Sequence, residues 1–368
     1  MIVDSCLIVK NEEINIKKLI EQLILFSHEI HITDTGSTDN TLKIIQELQE
    51  NYPNIYIHHY MWDMDFSKAK NYSLSCYNTD NTDYQFWCDS DDLLNDKLIE
   101  SLQEFSNNQT YDEDIYYIKY QYFFGDTNPH IRTSLLKVSS HLRWNDPIHE
   151  YIALQENLRL NLTLFDNGSL ILHQHTLEDL STKKNSFLRN LTIFFNMEKT
   201  NFKFNARNRY YYGNELLNAG IIESGICQLH KCIDDFITND AEKIFAVASL
   251  FENNDPLAID YLFKIMKNGM CRKDLLYYLG NYYFDKSNFE LAKTYYKNCL
   301  EYPEPDDFLK FGYNPSCIIN SLLQLGLIYF NIGDYQLSLK YNNMILDIEP
   351  DNSTAINNID ILSTNYIK

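Results

Sequence analysis

The chain has 368 residues, 45% of them hydrophobic and 14% aromatic, with a formal net charge of -20. That length and apolar content can fill about two cores, which excludes a disordered, charge-rich chain. A surface this acidic repels phosphate backbones and anionic lipid, so nucleic acid and membrane surfaces are poor partners, and an anionic ligand would need a local cation or a helix N-terminus.

The first half alternates between two periods. Ser5 to Val9 (SCLIV) is an apolar run of strand length, and Glu13 to Ser27 carries Ile16, Leu19, Ile20, Leu23 and Ile24 at helical spacing. Glu29 to Thr33 (EIHIT) is strand-like, Thr41 to Glu50 helical, and Asn54 to His58 strand-like again. Tyr84 to Cys88 (YQFWC) is a further apolar run that ends in Asp89-Ser90-Asp91-Asp92. This order predicts parallel βαβ units, whose ligands bind at the carboxyl ends of the strands. Tyr116 to Phe124, Thr133 to Val138 and Ser169 to His173 extend the sheet.

From about Ser181 onward the pattern is helical. Gly280 and Gly326 are each followed by Tyr three residues later (Tyr283, Tyr329) and by a small residue twelve later (Ala292, Ser338). These spacings resemble the tetratricopeptide repeat, in which small residues let two helices cross closely. Tyr212-Gly213 to Cys232 reads as a degenerate copy, and an eroded one fits Ala246 to Lys267, since Gly213 and Gly280 are about two periods of 34 residues apart. A loop with Pro303, Pro305 and Pro315 lengthens the next interval. No apolar run nears the roughly 18 residues of a transmembrane helix. Met1 to Lys10 lacks a secretory pattern. The eight scattered cysteines form no Cys-x-x-Cys pair, which suits buried thiols in a reducing compartment, and the expected address is cytoplasmic.

Asp89, Asp91 and Asp92 are the strongest chemical signal. At a strand tip, two carboxylates one residue apart can address a hard divalent cation, or the cation and a ribose hydroxyl. The plainer alternative is an acidic turn capping a helix at Leu93. A second strand tip carries Asp34-Thr35-Gly36-Ser37-Thr38-Asp39-Asn40-Thr41. Ser37, Thr38 or Asp39 can cap the next helix, whereas Asp34 could accept from a base N–H. Lys10-Asn11-Glu12-Glu13 follows the first strand, so three strand ends carry ligand-capable residues on one edge.

The runs Leu7 to Glu13 (LIVKNEE), Asp34 to Thr41 (DTGSTDNT) and Asp89 to Asp92 resemble the three signatures of family 2 glycosyltransferases, in that order. Asp65-Phe66-Ser67-Lys68-Ala69-Lys70-Asn71 resembles an element of one subgroup, with Lys70 in place of the usual arginine; Trp144 with Ile148-His149-Glu150, and Leu172-His173, resemble two later elements. Members with a repeat-containing tail include transferases that glycosylate bacteriocin peptides on Cys or Ser, and others that build cell-surface glycans.

The resemblance implies an α/β GT-A domain with a Rossmann-like mixed sheet over 1–200, followed by an all-α tetratricopeptide-like domain over 201–368. It implies a UDP-sugar donor, UDP-glucose above all, with Mn²⁺ or Mg²⁺ and inversion at the anomeric carbon. Asp34 would then contact the base, Lys10, Glu12 and Ser90 would line the nucleotide, and Lys70 would lie near the diphosphate. Asp89 would hold ribose or metal, Asp91 the metal, and His173 would complete the metal site with His175 as fallback. Glu150 is the candidate base and His149 the alternative; Lys183, Lys184 and Arg189 could reach the diphosphate. The repeat domain offers a concave surface for an acceptor peptide or a second subunit, as in a homodimer. A glycan precursor as acceptor, or an inert scaffold, are the competing readings.

Overall fold

The computed structural model describes residues 1–76, 81–107, 111–122, 130–152, 168–173, 180–235, 240–305 and 313–367. The chain forms two compact units, Met1–Phe202 and Lys203–Lys368.

In the first unit, strands β1 (Val3–Val9), β2 (Ile30–Asp34), β3 (Ile55–His59) and β4 (Tyr84–Trp87) run parallel. Helices α1 (Ile16–Leu23), α2 (Thr41–Asn51) and α3 (Phe66–Leu74) connect them. The chain continues through β5 (Asp92–Leu94), α4 (Asp96–Asn107), β6 (Ile115–Tyr122), β7 (His130–Lys137), the short ribbon β8 (Trp144–Asn145) and β9 (Tyr151–Ile152), then β10 (Leu170–His173) and α5 (Leu180–Lys199). Eight strands form one mixed sheet in the order β3-β2-β1-β4-β7-β6-β10-β5. This is the Rossmann-like mixed sheet of a GT-A fold.

Alternation along the strands sends side chains to two cores. Leu7, Val9, Ile30 and Ile32 pack with Ile16, Leu19, Ile20 and Ile45 of α1 and α2. On the other face, Cys6 and Trp87 meet Leu74 of α3 together with Leu136 and Trp144. The sequence pattern left open a helix capped at Leu93. Instead Asp92–Leu94 is a strand that pairs antiparallel with β10, and the next helix starts at Asp96. A side chain fixed in a sheet register is a more exact platform than an exposed cap.

The second unit is a run of helical hairpins: α6 (Ala206–Asn218) with α7 (Ile222–Asp234), α8 (Asp240–Glu252) with α9 (Ala258–Lys267), α10 (Lys273–Asp285) with α11 (Phe289–Glu301), and α12 (Cys317–Asn331) with α13 (Tyr335–Ile348). Helix α14 (Ser353–Asn365) follows. The repeat glycines mark the crossing points. A Cβ on Gly280 would lie 2.4 Å from the Tyr296 ring, and one on Gly326 would lie 2.9 Å from Asn342 Nδ2. Ser338 Oγ donates to the Gly326 carbonyl at 2.9 Å, closing the second crossing. Among the described residues no helix is long and apolar enough to cross a membrane.

Candidate active site

Parallel strands β1, β2 and β4 end on one edge of the sheet, and the loops that leave them are tied together. The Asn11 backbone N–H donates to Ser37 Oγ at 3.0 Å, and Asn11 Oδ1 accepts from the Thr38 N–H at 2.7 Å. Glu13 accepts from the Asn40 N–H at 2.9 Å, and Glu12 N–H donates to Thr41 Oγ1 at 2.7 Å. Asp39 serves the start of α2 by accepting from the Thr41 N–H at 3.0 Å. Asp34 is 4% exposed, and its carboxylate accepts from the N–H groups of Gly36 and Ser37, both at 3.0 Å. It therefore shapes its own loop, and only the oxygen capacity left over could serve a ligand.

Past β4 the chain turns sharply. Asp89 N–H donates to Asp92 Oδ2 at 2.8 Å, and Asp92 N–H returns to the Asp89 carbonyl at 3.1 Å. Asp92 is buried, and its Oδ1 accepts from the Tyr120 hydroxyl at 2.8 Å. The β10–β5 register sets His173 directly opposite Asp92. His173 Nδ1 lies 3.3 Å from Asp92 Oδ1 and 3.4 Å from Asp91 Oδ1.

Charge is unevenly compensated here. Burial first, and then the like charges of Asp92, Asp89 and Glu12, push the Asp91 carboxyl up to about 8, although His173 pulls the other way. Burial works against a charged His173 ring, yet Asp92, Asp91 and Asp89 outweigh it and raise its pKa. Burial would likewise raise Asp89, but Arg132 and Lys70 hold it below the ordinary carboxylate range. Asp91 is thus the carboxylate that lacks a sufficient counter-charge. Asp91, Asp92 and His173 each bring one ligand atom within 4.8 Å of the others. Two carboxylate oxygens and an imidazole nitrogen suit Mn²⁺ better than Mg²⁺, which prefers an all-oxygen shell. The residues therefore fit a divalent cation.

Asp89, expected on the ribose or the metal, is met by Arg132, whose Nη2 donates to its Oδ2 at 2.5 Å. A bulge in the β6–β7 pairing accounts for this. Leu135 pairs with Tyr116 and Thr133 with Tyr117, so Ser134 is the extra residue and Arg132 falls opposite Ile118. The one-residue shift turns Arg132 to the face of Tyr120, over whose ring its guanidinium lies at 4.6 Å.

The second charged centre is Lys70 with Glu150. Lys70 is 3% exposed, ion-paired to Glu150, and lies 4.4 Å and 5.0 Å from the ring centres of Trp144 and Trp87. Burial opposes the charge on Glu150, but Lys70 overcomes it and lowers that carboxyl. Asn71 holds the arrangement together: its Nδ2 donates to the Trp144 carbonyl at 2.8 Å and its Oδ1 accepts from the Trp144 N–H at 2.9 Å. Phe66 N–H donates to the Pro147 carbonyl at 2.8 Å, so α3 and the segment preceding Glu150 are clipped at two points.

The remaining expected residues divide clearly. Glu12 is half-buried, accepts from Asn15 Nδ2 at 2.9 Å and adds its charge to the field on Asp91. Ser90 is buried within the acidic turn, and Lys10 is exposed just past β1. His149 has a φ of 51° and its ring lies 6.1 Å from Phe194 of α5. Arg189 lies 5.0 Å over the Phe66 ring. His175 and the side chains of Lys183 and Lys184 lie outside the described residues. Sequence reasoning missed Arg132 and Tyr120 and gave Asp92 no role on the metal. Only strand pairing, which a single sequence does not display, brings these groups together.

The acids and buried cations of this edge lie within the segment that matches a glycosyltransferase family. Residues 5–172 match the family model for glycosyl transferase family 2, which places a family 2 domain in the first unit, and residues 274–306 match the tetratricopeptide repeat. No curated protein matches the chain. Among solved structures, it is similar to S. aureus TarS 1-349 (12% identity, TM-score 0.37, covering 81% of this chain and 91% of that one). It is also similar to a tetratricopeptide repeat protein from Parabacteroides merdae (14%, 0.39, 49% and 67%) and to MamA (19%, 0.37, 49% and 99%). At these TM-scores the likenesses do not by themselves establish a shared fold.

Proposed function

We propose that this glycosyltransferase moves a hexose from a UDP-sugar to a Ser, Thr or Cys side chain of a peptide, with inversion at the anomeric carbon. The observation that carries the reading is the grouping of Asp91, Asp92 and His173, each with a ligand atom within 4.8 Å of the others, at the edge of the sheet where such folds bind ligands. A divalent cation held by these three side chains would offset the charge of the departing diphosphate. Asp34 has carboxylate capacity beyond its two loop hydrogen bonds with which to read a base N–H.

Glu150 takes the acceptor proton as the acceptor oxygen or sulfur attacks the anomeric carbon and the bond to the diphosphate breaks. In the resting arrangement Lys70 lowers the Glu150 carboxyl and so weakens it as a base. A diphosphate that draws Lys70 toward itself restores the basicity of Glu150, so the base is armed when donor is present. The helical repeats supply the extended surface that would hold a peptide acceptor.

Intact-mass measurement on a library of Ser-, Thr- and Cys-containing peptides incubated with UDP-hexoses tests the acceptor. A gain of one hexose on peptide supports the reading. Donor turnover with sugar passing only to water or to glycans contradicts it.

A further inference from the structure

Among the described residues, two arginine–aspartate pairs differ in kind. In the helical unit, Arg272 grips Asp274 with two hydrogen bonds of 2.7 Å, and the side chains are 1% and 0% exposed. That is a permanent fork-to-fork pair. At the active site, Arg132 reaches Asp89 through one nitrogen; its other terminal nitrogen stops 4.0 Å from Asp92, and both Arg132 and Asp89 are 30% exposed. Its guanidinium rests on Tyr120, whose own hydroxyl is fixed on Asp92. An arginine held at one point, stacked on a fixed ring and open to solvent can exchange partners by sliding on that ring.

The acids around it make exchange productive. Asp89 sits beside the Asp91–Asp92–His173 group, and its carboxylate accepts from Arg132. The chain carries a net charge of -20, so a diphosphate entering this edge needs a cation close at hand. Lys70, paired with Glu150 beneath two indole rings, brings a single ammonium, whereas Arg132 presents a planar fork that matches phosphate oxygens.

We propose that Arg132 is an exchangeable counter-ion. It occupies Asp89 while the site is empty of donor and transfers to the donor diphosphate when a divalent cation claims the acidic group. Arg132 then opposes cation binding in the free protein and favours it once a nucleotide diphosphate is present, so cation and nucleotide bind interdependently. This rests on the reading of the site as a cation–diphosphate seat.

The test is the affinity for Mn²⁺, followed by titration calorimetry with and without UDP, for the native protein and Arg132→Gln. Without UDP, Arg132→Gln is expected to bind Mn²⁺ more tightly than native, by roughly fivefold or more. With Mn²⁺ saturating, the same variant is expected to bind UDP more weakly by a similar factor. An arginine that merely props the loop gives the opposite first sign, so equal or weaker Mn²⁺ binding by the variant overturns the proposal. Should Arg132→Gln fail to fold by circular dichroism, Arg132→Lys carries the test, with the same signs and smaller changes. If the native protein binds neither Mn²⁺ nor UDP, the functional reading itself falls. If native binds both and the variant shows no gain for Mn²⁺, only this inference falls.

Discussion

Asp92 is a carboxylate held in place from several sides. It is 1% exposed, receives the Asp89 N–H and the Tyr120 hydroxyl, and faces His173 across the sheet. Hydrogen-bonded supports of metal ligands are worth about 10- to 100-fold in metal affinity. Tyr120→Phe is therefore expected to lower Mn²⁺ affinity roughly tenfold while leaving the circular dichroism spectrum unchanged; an unaltered affinity would deny the hydroxyl its positioning role. Glu150 is the residue proposed as the base. Its carboxyl is held below the ordinary 4.5 in the fold, so as pH falls the unfolded chain takes up the proton first. The stability it contributes is complete above that value and is lost as pH drops through the lower, folded-state pKa. Glu150→Gln leaves the Lys70 ammonium buried without its partner and is expected to cost about 3 kcal/mol at neutral pH. Urea unfolding at pH 7 and at pH 4 checks both halves: the gap between variant and native should narrow in acid, and an equal gap at both pH values would refute the assignment.

Among the elements, α3 decides where the buried cation sits. Asp65 caps it by accepting from the Lys68 N–H at 3.0 Å, and Asn71 then clips its last turns to Trp144. Asn71→Ala leaves two backbone groups at Trp144 without their partner, an expected loss of roughly 2 kcal/mol together with weaker donor binding. Calorimetric melting and UDP titration measure the two effects, and a variant as stable as native would show that the clip is incidental. Much of this was legible in the residues. Alternating apolar runs gave the parallel strands, and acids at strand ends gave the reactive edge, because burial and period are local properties. Two things were not local. The Arg132–Asp89 contact depends on a bulge at Ser134, and the strand at Asp92–Leu94 depends on β10 arriving from nearly 80 residues downstream. Local sequence around Leu93 allows a helix start equally well, and long-range pairing decides the matter. In the helical unit the glycine spacing was readable because close helix crossing requires it: a methyl at Gly280 would meet Tyr296 at 2.4 Å.

At the scale of the whole molecule the division into Met1–Phe202 and Lys203–Lys368 gives each unit its own core. Donor chemistry is proposed for the first unit and acceptor capture for the second. A chain ending at Phe202 is accordingly expected to retain slow donor hydrolysis and to lose transfer to peptide; transfer at the native rate would remove the helical unit from acceptor recognition. The central claim is that the acidic edge turns over a nucleotide sugar with a divalent cation on Asp91. It is tested most directly by UDP release from a panel of UDP-sugars, with Mn²⁺ or with chelator, for the native chain and Asp91→Asn. The account predicts cation-dependent release from one donor, reduced at least about a hundredfold by the substitution. Release that persists with chelator, or that Asp91→Asn leaves intact, would contradict it.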